Sequence, residues 1–372
     1  MIIGEEFKLP DHIRKVLIIQ LGDIGDVVWS LPAFQAVRAA LPRAEIFLLI
    51  REGIGSLFEA DPAITGVFEV ERYPESIVNR LMRQIASLFQ IRRVHFEAVF
   101  DLRFDERGAF TAWWTGAPYR ASLWAASGPW YRNRLFTHLV YPTNENIRVR
   151  MGASEQTLRI IRQFGIPTPE TTPRLPLSLT AIDHMREVLA TRDIAAGGEG
   201  KNGGRPGFIT ISPFSRWAYK EWPLGRWLEI SSWTARKYGL ISVLVGAAGE
   251  RARAEELVKK ASGGILNMAG GTTLGELAAL LSLSRLHVGV DTAAPHIAAA
   301  VGTPTISIYG PSDWRDWAPV GDQHQVVAAE MDCSPCHQKG CDGQGRSRCL
   351  ESIAVGSVQE AISRGLSLPR SA

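Results

Sequence analysis

The stretch Leu286–Gly310, LHVGVDTAAPHIAAAVGTPTISIYG, decides the fold of this chain. Its apolar run up to Val290 predicts a short buried strand, and Asp291-Thr292 is a suitable N-cap pair for the alanine-rich helix that follows. Gly302 ends that helix, and Thr305–Tyr309 again has the pattern of a strand. The order of strand, helix and strand predicts a β-α-β unit.

The start of this helix is also a candidate ligand site. A helix N-terminus directly after a buried strand offers unpaired N–H groups and the positive end of the helix dipole, which suits a phosphate. His296 lies four residues after Thr292, about one helical turn, so both side chains can face the same ligand. The alternative is an ordinary structural unit, in which Asp291 only caps the helix and His296 is packed in the core.

Size and composition limit the class of protein. A chain of 372 residues predicts two domains, and 45% hydrophobic with 21% charged residues is typical of a soluble globular protein. The net charge of +3 is too small to indicate a nucleic-acid partner. No apolar run reaches the ~18 residues of a membrane span, and the polar N-terminus does not resemble a signal peptide. We therefore expect a cytoplasmic protein.

The first half opens with the strand Lys15–Gln20 and the turn LGDIGD, which leads into a helix expected to end at Pro42. The turn has two glycines spaced G-x-x-G, whereas a dinucleotide fingerprint needs G-x-G-x-x-G, so an NAD-dependent enzyme is disfavoured. Asp26 lies where the carboxyl edge of the sheet meets a helix start, which is where open α/β folds bind ligands. The alternative is a first-turn helix acid without chemistry. Asp23 lies inside the turn and is expected to bond the backbone there.

Residues 72–150 form a basic segment. They hold twelve Arg, no Lys and six acids, a net of +6, and several of the arginines stand among aromatic residues. Arginine favours planar anions such as phosphate and carboxylate, and its combination with Trp and Tyr also suits a membrane interface. The alternative is a solvated basic face over an ordinary aromatic core. If the segment is functional, it binds an anionic and amphiphilic partner.

A proline-rich joint at residues 167–176 predicts the linker between the halves, although the glycine-rich segment 195–207 is an alternative. In the second half Lys220 follows the strand Phe208–Ser212, where it can neutralise a phosphate or a developing leaving-group charge. Ser215 can donate a hydrogen bond in the same place. Glu250 follows the next strand and can accept from ribose hydroxyls, or only favour a helix start. Thr272 or Thr273 is expected to cap a further helix.

Four cysteines are grouped near the C-terminus: Cys333, Cys336, Cys341 and Cys349. Only the first spacing is that of a zinc knuckle, so the group is either a metal site or a set of reduced or loosely paired thiols. No D-x-D pair stands at a strand end and no P-loop is present, so the sequence indicates neither a metal-bridged diphosphate nor phosphoryl transfer.

Three motifs carry a resemblance to a known family. They are LGDIGD at residues 21–26, KEWP at residues 220–223 and VDTAAPH at residues 290–296. In this order and spacing the chain resembles the bacterial heptosyltransferases of glycosyltransferase family 9, from about residue 14 to residue 364. Ala293 stands where this family usually has glycine.

The resemblance implies an α/β protein with the GT-B fold, two Rossmann-like domains facing each other across a cleft. The expected boundaries are residues 1–170 for the acceptor-binding domain, 171–350 for the nucleotide-sugar-binding domain, and 351–372 for a C-terminal helix and tail that packs back on the first domain. The implied reaction is inverting transfer of a heptose from ADP-heptose to the inner core of lipopolysaccharide, at the inner face of the inner membrane. It needs no cofactor and no metal.

The resemblance makes Asp26 the general base and Lys220 the residue that contacts the diphosphate. Together with neighbouring positions it gives a donor-binding set: Ser215, Lys220, Glu250, Thr272, Asp291, Thr292, Ala293 and His296. The expected acceptor-binding set is Asp23, Arg80, Arg83, Arg103 and Arg120, facing the phosphates and carboxylates of the acceptor.

Other functions remain open at this point. A transferase of the same fold with another nucleotide sugar, or a nucleotide-sugar epimerase, would share much of this pattern. The chain could also be a non-catalytic protein that binds sugar nucleotides, but Asp26 would then have no function.

Overall fold

The computed structural model describes residues 2–3, 7–10, 12–70, 77–103, 105–126, 128–141, 154–196, 206–261, 263–343 and 345–367. The chain divides into two compact units, Met1–Pro173 and Arg174–Ala372. The division falls inside the proline-rich joint and three residues after the expected boundary at residue 170. The glycine-rich segment 195–207 belongs to the second unit, and its residues 197–205 lie outside the described part.

The first unit is built on a parallel sheet of seven strands in the order β1-β7-β6-β5-β2-β3-β4. The strands are β1 (Ile2–Ile3), β2 (Lys15–Gln20), β3 (Glu45–Arg51), β4 (Gly66–Val70), β5 (Ala98–Asp101), β6 (Tyr119–Leu123) and β7 (His138–Val140). The helices are α1 (Ile24–Trp29), α2 (Leu31–Ala40), α3 (Ile77–Arg93), α4 (Glu106–Thr115) and α5 (Ser154–Arg162).

The second unit is built on a parallel sheet of six strands in the order β10-β9-β8-β11-β12-β13. The strands are β8 (Phe208–Ser212), β9 (Ile241–Leu244), β10 (Ile265–Asn267), β11 (His287–Val290), β12 (Thr305–Tyr309) and β13 (His324–Ala328). The helices are α6 (Leu179–Ala190), α7 (Leu224–Tyr238), α8 (Arg251–Lys260), α9 (Leu274–Leu283), α10 (Ala293–Ala300), α11 (Trp314–Trp317), α12 (Arg348–Ser352) and α13 (Val355–Ser367).

The central strands are buried on both faces. Every residue of β5, β8, β11 and β12 is buried, as are five of the six residues of β2. Strands of this kind read as continuous apolar runs because helices cover both sides of a parallel sheet. The predicted β-α-β unit at 286–310 is confirmed, since β11 pairs with β12 in parallel and α10 lies between them in sequence.

Both sheets reverse their strand order at one place. In the first, β2 is followed outwards by β3 and β4, and the chain then returns to add β5 on the other side of β2. In the second, β8, β9 and β10 are followed by β11 on the other side of β8. We call the carboxyl ends of β2 and β5 the first switch point, and those of β8 and β11 the second. Ligands of open α/β folds bind at such points.

One local difference from the sequence analysis has a clear reason. The helix expected to run from the LGDIGD turn to Pro42 is two helices, because the Ser30 hydroxyl bonds the Asp26 carbonyl at 2.8 Å and Pro32 starts a new helix. The terminal helix α13 packs against α7, β12 and β13 of the second unit. That the segment 351–372 also packs back on the first unit stays a prediction.

Within the described ranges, no helix has both the length and the apolar character to cross a bilayer.

Candidate active site

Asp26 stands at the first switch point with a defined set of contacts. Its Oδ2 accepts the Asp23 amide at 2.8 Å and lies 3.0 Å from Arg103 Nη1. Asp26 is in the first turn of α1, directly after β2, and Arg103 follows β5. The Asp26 side chain is 19% exposed, so solvent or a ligand can reach it. Among the described residues, both of these contacts are made by Oδ2.

The glycine of this turn makes room for Asp26. A Cβ on Gly22 would lie 2.5 Å from Asp26 Oδ2 and 2.8 Å from Gln20 Oε1. Gln20 Oε1 accepts the Gly22 amide at 3.1 Å, and Gln20 Nε2 donates to Ser30 at 2.7 Å. The turn is thus held from both ends by a buried glutamine, and the carboxylate occupies the space that any side chain at position 22 would need.

The two aspartates of the turn form a capping box. The Asp23 side chain accepts the backbone amide of Asp26, as expected, and the Asp26 side chain reaches back to the Asp23 amide. Asp23 also pairs with Arg51, at the end of β3, with 2.6 Å between Nη1 and Oδ1. The Asp23 side chain is nearly half exposed, which leaves it open to a polar partner.

Arg103 is held in place by a buried ion pair that the sequence analysis missed. The Arg103 amide donates to Asp101 Oδ1 at 3.2 Å, and Asp101 Oδ2 lies 3.7 Å from the Arg132 guanidinium. Arg132 also donates to the Ser122 hydroxyl at 2.8 Å. Both Asp101 and Arg132 are buried. Burial lowers the pKa of Arg132, and the neighbouring Asp101 opposes this effect. Asp101 and Arg132 are far apart in the sequence, so no local pattern indicated that they pair.

The other expected acceptor residues do not join this cluster in the described structure. Arg120 is the second residue of β6, and its guanidinium bonds the carbonyls of Leu135 and Ala117. That places it towards the amino end of the strand, whereas Arg103 is beyond the carboxyl end of β5. Arg83 is exposed on α3, and the side chain of Arg80 lies outside the described residues. Acceptor binding by these three arginines stays a prediction.

The second switch point also holds an ion pair, but here the cation follows the earlier strand and the carboxylate follows the later one. Lys220 Nζ, in the loop after β8, lies 2.6 Å from Asp291 Oδ2, directly after β11. The side chains are 23% and 12% exposed. A charged pair of this kind at a partly buried edge is pre-arranged, so a diphosphate that meets it needs no reorganisation of the cation.

The loop that carries Lys220 is fixed by contacts that the sequence did not indicate. Glu221 forms a bidentate pair with Arg253, at 2.9 and 2.5 Å, and Glu221 Oε1 also accepts the Ser215 amide at 2.9 Å. Arg253 lies over the ring of Phe214 at 4.6 Å. The Ser215 hydroxyl accepts the Trp217 amide at 3.2 Å, so it serves the loop backbone. The residues in contact here are far apart in the sequence, so no local sequence pattern predicts these contacts.

The helix α10 presents an uncapped N-terminus at the same place. Thr292 is at the N-cap position, but its side chain makes no capping hydrogen bond, and its hydroxyl bonds the Val290 carbonyl at 3.4 Å. The first N–H groups of a helix have no partner within the helix, so those at Ala293 and Ala294 suit an anion. Gly289 lets Ser212 and Pro295 lie close to the backbone of β11, because a Cβ at position 289 would lie 2.1 Å from Ser212 Oγ and 3.3 Å from Pro295.

His296 and Tyr309 are buried around Asp291. Burial lowers the pKa of His296 to about 4, with Asp291 raising it and Lys220 lowering it further. The imidazole is therefore neutral near pH 7. Tyr309 is fully buried, and burial together with Asp291 raises the pKa of its phenol well above the ordinary value. Both groups thus stay uncharged beside the Lys220–Asp291 pair.

Glu250 lies beyond the end of β9 and precedes α8. Its Oε2 accepts the Ala247 amide at 2.7 Å, and burial raises the pKa of its carboxyl. The helix α9 is capped by Thr273, whose hydroxyl accepts the Glu276 amide at 3.2 Å, and Thr272 precedes this cap. Ribose binding by Glu250 and donor contact by Thr272 stay predictions.

All four cysteines are free thiols, with Cys349 buried and Cys333 exposed. Burial raises the pKa of Cys349, and Cys336 and Cys341 act in the same direction. The Ser347 hydroxyl in this segment donates to the Tyr219 carbonyl at 2.7 Å, next to Lys220. Over the described ranges, no three His, Cys, Asp or Glu side chains are grouped so that they could hold a metal ion.

Comparisons with known proteins identify the family and the fold of this chain. The family model "Glycosyltransferase family 9 (heptosyltransferase)" matches residues 85–345. Lipopolysaccharide heptosyltransferase 1 of Pseudomonas aeruginosa is 25% identical over 337 residues, which cover 89% of this chain and 88% of that protein. A family 9 glycosyltransferase from Veillonella parvula has a similar structure, with a TM-score of 0.77, 18% identity and coverage of 98% and 99%.

A third comparison is with Escherichia coli heptosyltransferase WaaC, solved with ADP-2-deoxy-2-fluoro heptose. Its TM-score is 0.70 at 21% identity, and the match covers 94% of this chain and 99% of that one. These likenesses confirm the predicted fold class, an α/β protein of two Rossmann-like domains of the GT-B type. Since the family model covers more than two thirds of the chain, this protein belongs to glycosyltransferase family 9, the heptosyltransferases, and is a glycosyltransferase.

Proposed function

We propose that this enzyme transfers a heptose from ADP-heptose to the inner core of lipopolysaccharide, with inversion at the anomeric carbon. The observation that carries the proposal is the pairing of a carboxylate with a cation at each switch point, Asp26 with Arg103 and Asp291 with Lys220. The relatives named for lipopolysaccharide heptosyl transfer, and the similar structure that holds an ADP-heptose analogue, support this choice of substrates.

The donor side of the reaction belongs to the second switch point. Lys220 and the N-terminus of α10 would bind the diphosphate and stabilise the charge that grows on ADP as the bond to the sugar breaks. Asp291 orients Lys220 through their 2.6 Å contact. Glu250 would accept hydrogen bonds from the ribose, while Ser215 and Thr272 would line the donor site. His296, neutral at physiological pH, would serve as a hydrogen-bonding group there.

The acceptor side belongs to the first switch point. Asp26 Oδ1 would take the proton from the acceptor hydroxyl as its oxygen attacks the anomeric carbon, and ADP would leave with the electron pair of the broken bond. Arg103 would meet an anionic group of the acceptor while it holds Asp26 Oδ2 at 3.0 Å. Asp23, Arg80, Arg83 and Arg120 complete the proposed acceptor set. The acceptor is an anionic glycolipid, so the enzyme would work at the inner face of the inner membrane.

Nucleotide binding tests this function. We would titrate ADP, UDP, GDP and NAD into the protein by calorimetry, with Lys220→Ala beside it. Selective binding of ADP that the substitution weakens supports the ADP-heptose assignment. A preference for UDP or GDP contradicts that donor and leaves a transferase with another sugar. A preference for NAD contradicts the reaction class.

A further inference from the structure

The first unit carries a continuous aromatic surface on two neighbouring helices. We define the aromatic surface by five exposed side chains: Met82, Ile85 and Phe89 of α3, and Phe110 and Trp113 of α4. The α3 members are spaced three and four residues apart and so share one helix face, as do the two α4 members at a spacing of three. Each of these side chains is at least 43% exposed. Single exposed apolar residues are common, but a connected group of them marks an interaction site.

Contacts between rings show that the two helices form one surface. Trp114 lies between them, with its ring centroid 5.7 Å from that of Phe89 and 6.2 Å from that of Phe110. Its indole N–H donates to the Leu88 carbonyl at 3.0 Å, which ties α4 to α3. Trp113 extends the group, with its ring 5.8 Å from Phe110. The half-buried Trp114 therefore fixes the exposed rings in place.

The charged side chains of α3, beside the aromatic surface, are all positive, whereas the first turn of α4 carries Glu106 and Arg107. The helix α3 contains four arginines and no acid in its 17 residues. Arg92 lies 5.5 Å above the Trp114 ring, and Arg93 is exposed four residues after Phe89, on the same face. A face that combines large aromatic and aliphatic side chains with arginine fits an anionic bilayer. The apolar side chains enter the boundary of head groups and acyl chains, and the arginines meet the phosphates.

We propose that the aromatic surface docks the enzyme on a bilayer that contains anionic phospholipids. The inference rests on the proposed function in one respect, that the acceptor is a lipid. Phe110 and Trp113 lie about one and two helical turns from the start of α4, which Arg103 precedes by three residues. Docking on this surface brings the lipid-linked acceptor to the loop that holds Asp26.

Vesicle binding tests the docking surface. The full chain is sedimented with vesicles of phosphatidylglycerol and phosphatidylethanolamine, and with vesicles of phosphatidylcholine alone. We expect binding to the anionic vesicles that falls with added salt. The variant Phe89→Ser/Trp113→Ser should lower the partition coefficient about tenfold or more, because two aromatic side chains no longer enter the interface. Arg93→Glu should lower it about tenfold through charge alone.

Two matched controls come from the second unit. Leu179→Ser removes an apolar side chain that is 76% exposed on α6, and Arg236→Glu reverses an exposed arginine in the last turn of α7, as Arg93 is in the last turn of α3. Both should bind vesicles as the unaltered protein does. The proposal is overturned if the controls lose as much binding as the test variants, or if the unaltered protein does not prefer anionic vesicles. It is also overturned if Phe89→Ser/Trp113→Ser turns a dimer into a monomer without a change in vesicle binding.

The docking proposal and the proposed function can be tested separately. Phe89, Trp113 and Arg93 are outside the proposed donor and acceptor sets, so their variants should keep ADP binding and transfer to a water-soluble, delipidated core oligosaccharide. Transfer without vesicle binding would contradict only the docking surface. Vesicle binding without any transfer from ADP-heptose would contradict only the proposed function.

Discussion

The two switch points have the same topology and opposite contents. At the first, the loop after the opening strand β2 gives the carboxylate, Asp26, and the later strand β5 gives the cation, Arg103. At the second, the loop after β8 gives the cation, Lys220, and the later strand β11 gives the carboxylate, Asp291. One strand order thus carries a carboxylate and a cation in two opposite arrangements.

The surroundings of the two carboxylates differ as well. Asp26 accepts a backbone amide and faces an arginine that is 41% exposed, so its carboxylate can exchange partners with a ligand. Asp291 is 12% exposed and stands beside the buried, uncharged His296 and Tyr309. The first arrangement suits a group that receives a proton from a ligand. The second suits a group that keeps a lysine in position against a diphosphate.

The largest expected effect follows from Asp26→Asn. The amide keeps the size of the side chain but cannot take a proton, so the rate of transfer should fall by about 10²–10⁴-fold. A steady-state transfer assay with ADP-heptose and core acceptor measures this. Asp23→Asn, three residues earlier in the same turn, is the matched control and should lower the rate much less. An equal loss of transfer rate in the two variants would contradict the assignment of Asp26, and not Asp23, as the general base.

Lys220→Ala should have the next largest effect. Loss of the ammonium group removes stabilisation of the departing ADP, and a fall in kcat of about 10²–10³-fold is expected. Lys237→Ala removes a lysine from the last turn of α7, where it lies over the ring of Trp233, and should leave kcat unchanged. If Lys220→Ala raised KM and left kcat unchanged, Lys220 would bind substrate and transition state equally, and its leaving-group role would be wrong.

Acidification should weaken the second unit through His296. Its pKa falls from the ordinary 6.5 to about 4 on burial, so the unfolded chain binds a proton that the folded chain does not. The free energy of unfolding should therefore be unaffected by this group above pH 6.5 and should fall between about pH 6.5 and about pH 4, by about 3 kcal/mol at most.

Urea unfolding across this pH range, on the unaltered protein and on His296→Gln, measures the share of this histidine. The variant should show a shallower loss of stability with acid. His184→Gln alters a histidine whose side chain is 54% exposed and should keep the steeper loss. An unchanged pH dependence in His296→Gln would contradict the burial of a neutral imidazole beside Asp291.

The smallest effects are expected at the glycines of the two switch points. Gly22→Ala pushes a methyl group against the Asp26 carboxylate, and Gly289→Ala pushes one against the Ser212 hydroxyl. Each should lower the free energy of unfolding by about 1–3 kcal/mol. Gly225→Ala, whose Cβ meets nothing within 4 Å, is the control and should be neutral. Thermal unfolding of the three variants checks this. A loss of stability in Gly225→Ala alone would contradict the inference that the added methyl group is crowded at positions 22 and 289.

The sequence predicted most of the elements that build the switch points. The strands Lys15–Gln20, Phe208–Ser212 and Thr305–Tyr309 have the predicted bounds. Parallel strands covered on both faces are continuous apolar runs, and helices begin and end at recognisable residues, so local pattern is sufficient for them. Asp291 stands directly after such a strand, and Asp26 and Lys220 stand in the segments that follow one, which is why these three residues were found.

The partners of these residues could not be predicted in the same way. Arg103 follows Asp26 by 77 positions, and Lys220 precedes Asp291 by 71. Pairs of this separation depend on strand order, which no local pattern encodes. Arg132 belongs to the basic segment 72–150, for which the alternatives were an anion-binding face and a solvated basic face, but it is buried against Asp101. The Ser122 hydroxyl and the Leu123 carbonyl accept further hydrogen bonds from its guanidinium.

The measurement that tests the division between the switch points most directly is calorimetric titration of ADP into Asp26→Asn and Arg103→Gln, with the unaltered protein beside them. Both substitutions lie at the first switch point, and the account predicts that ADP binds to each as tightly as to the unaltered protein. A loss of ADP affinity in both variants would contradict it, because the first switch point would then form part of the nucleotide site.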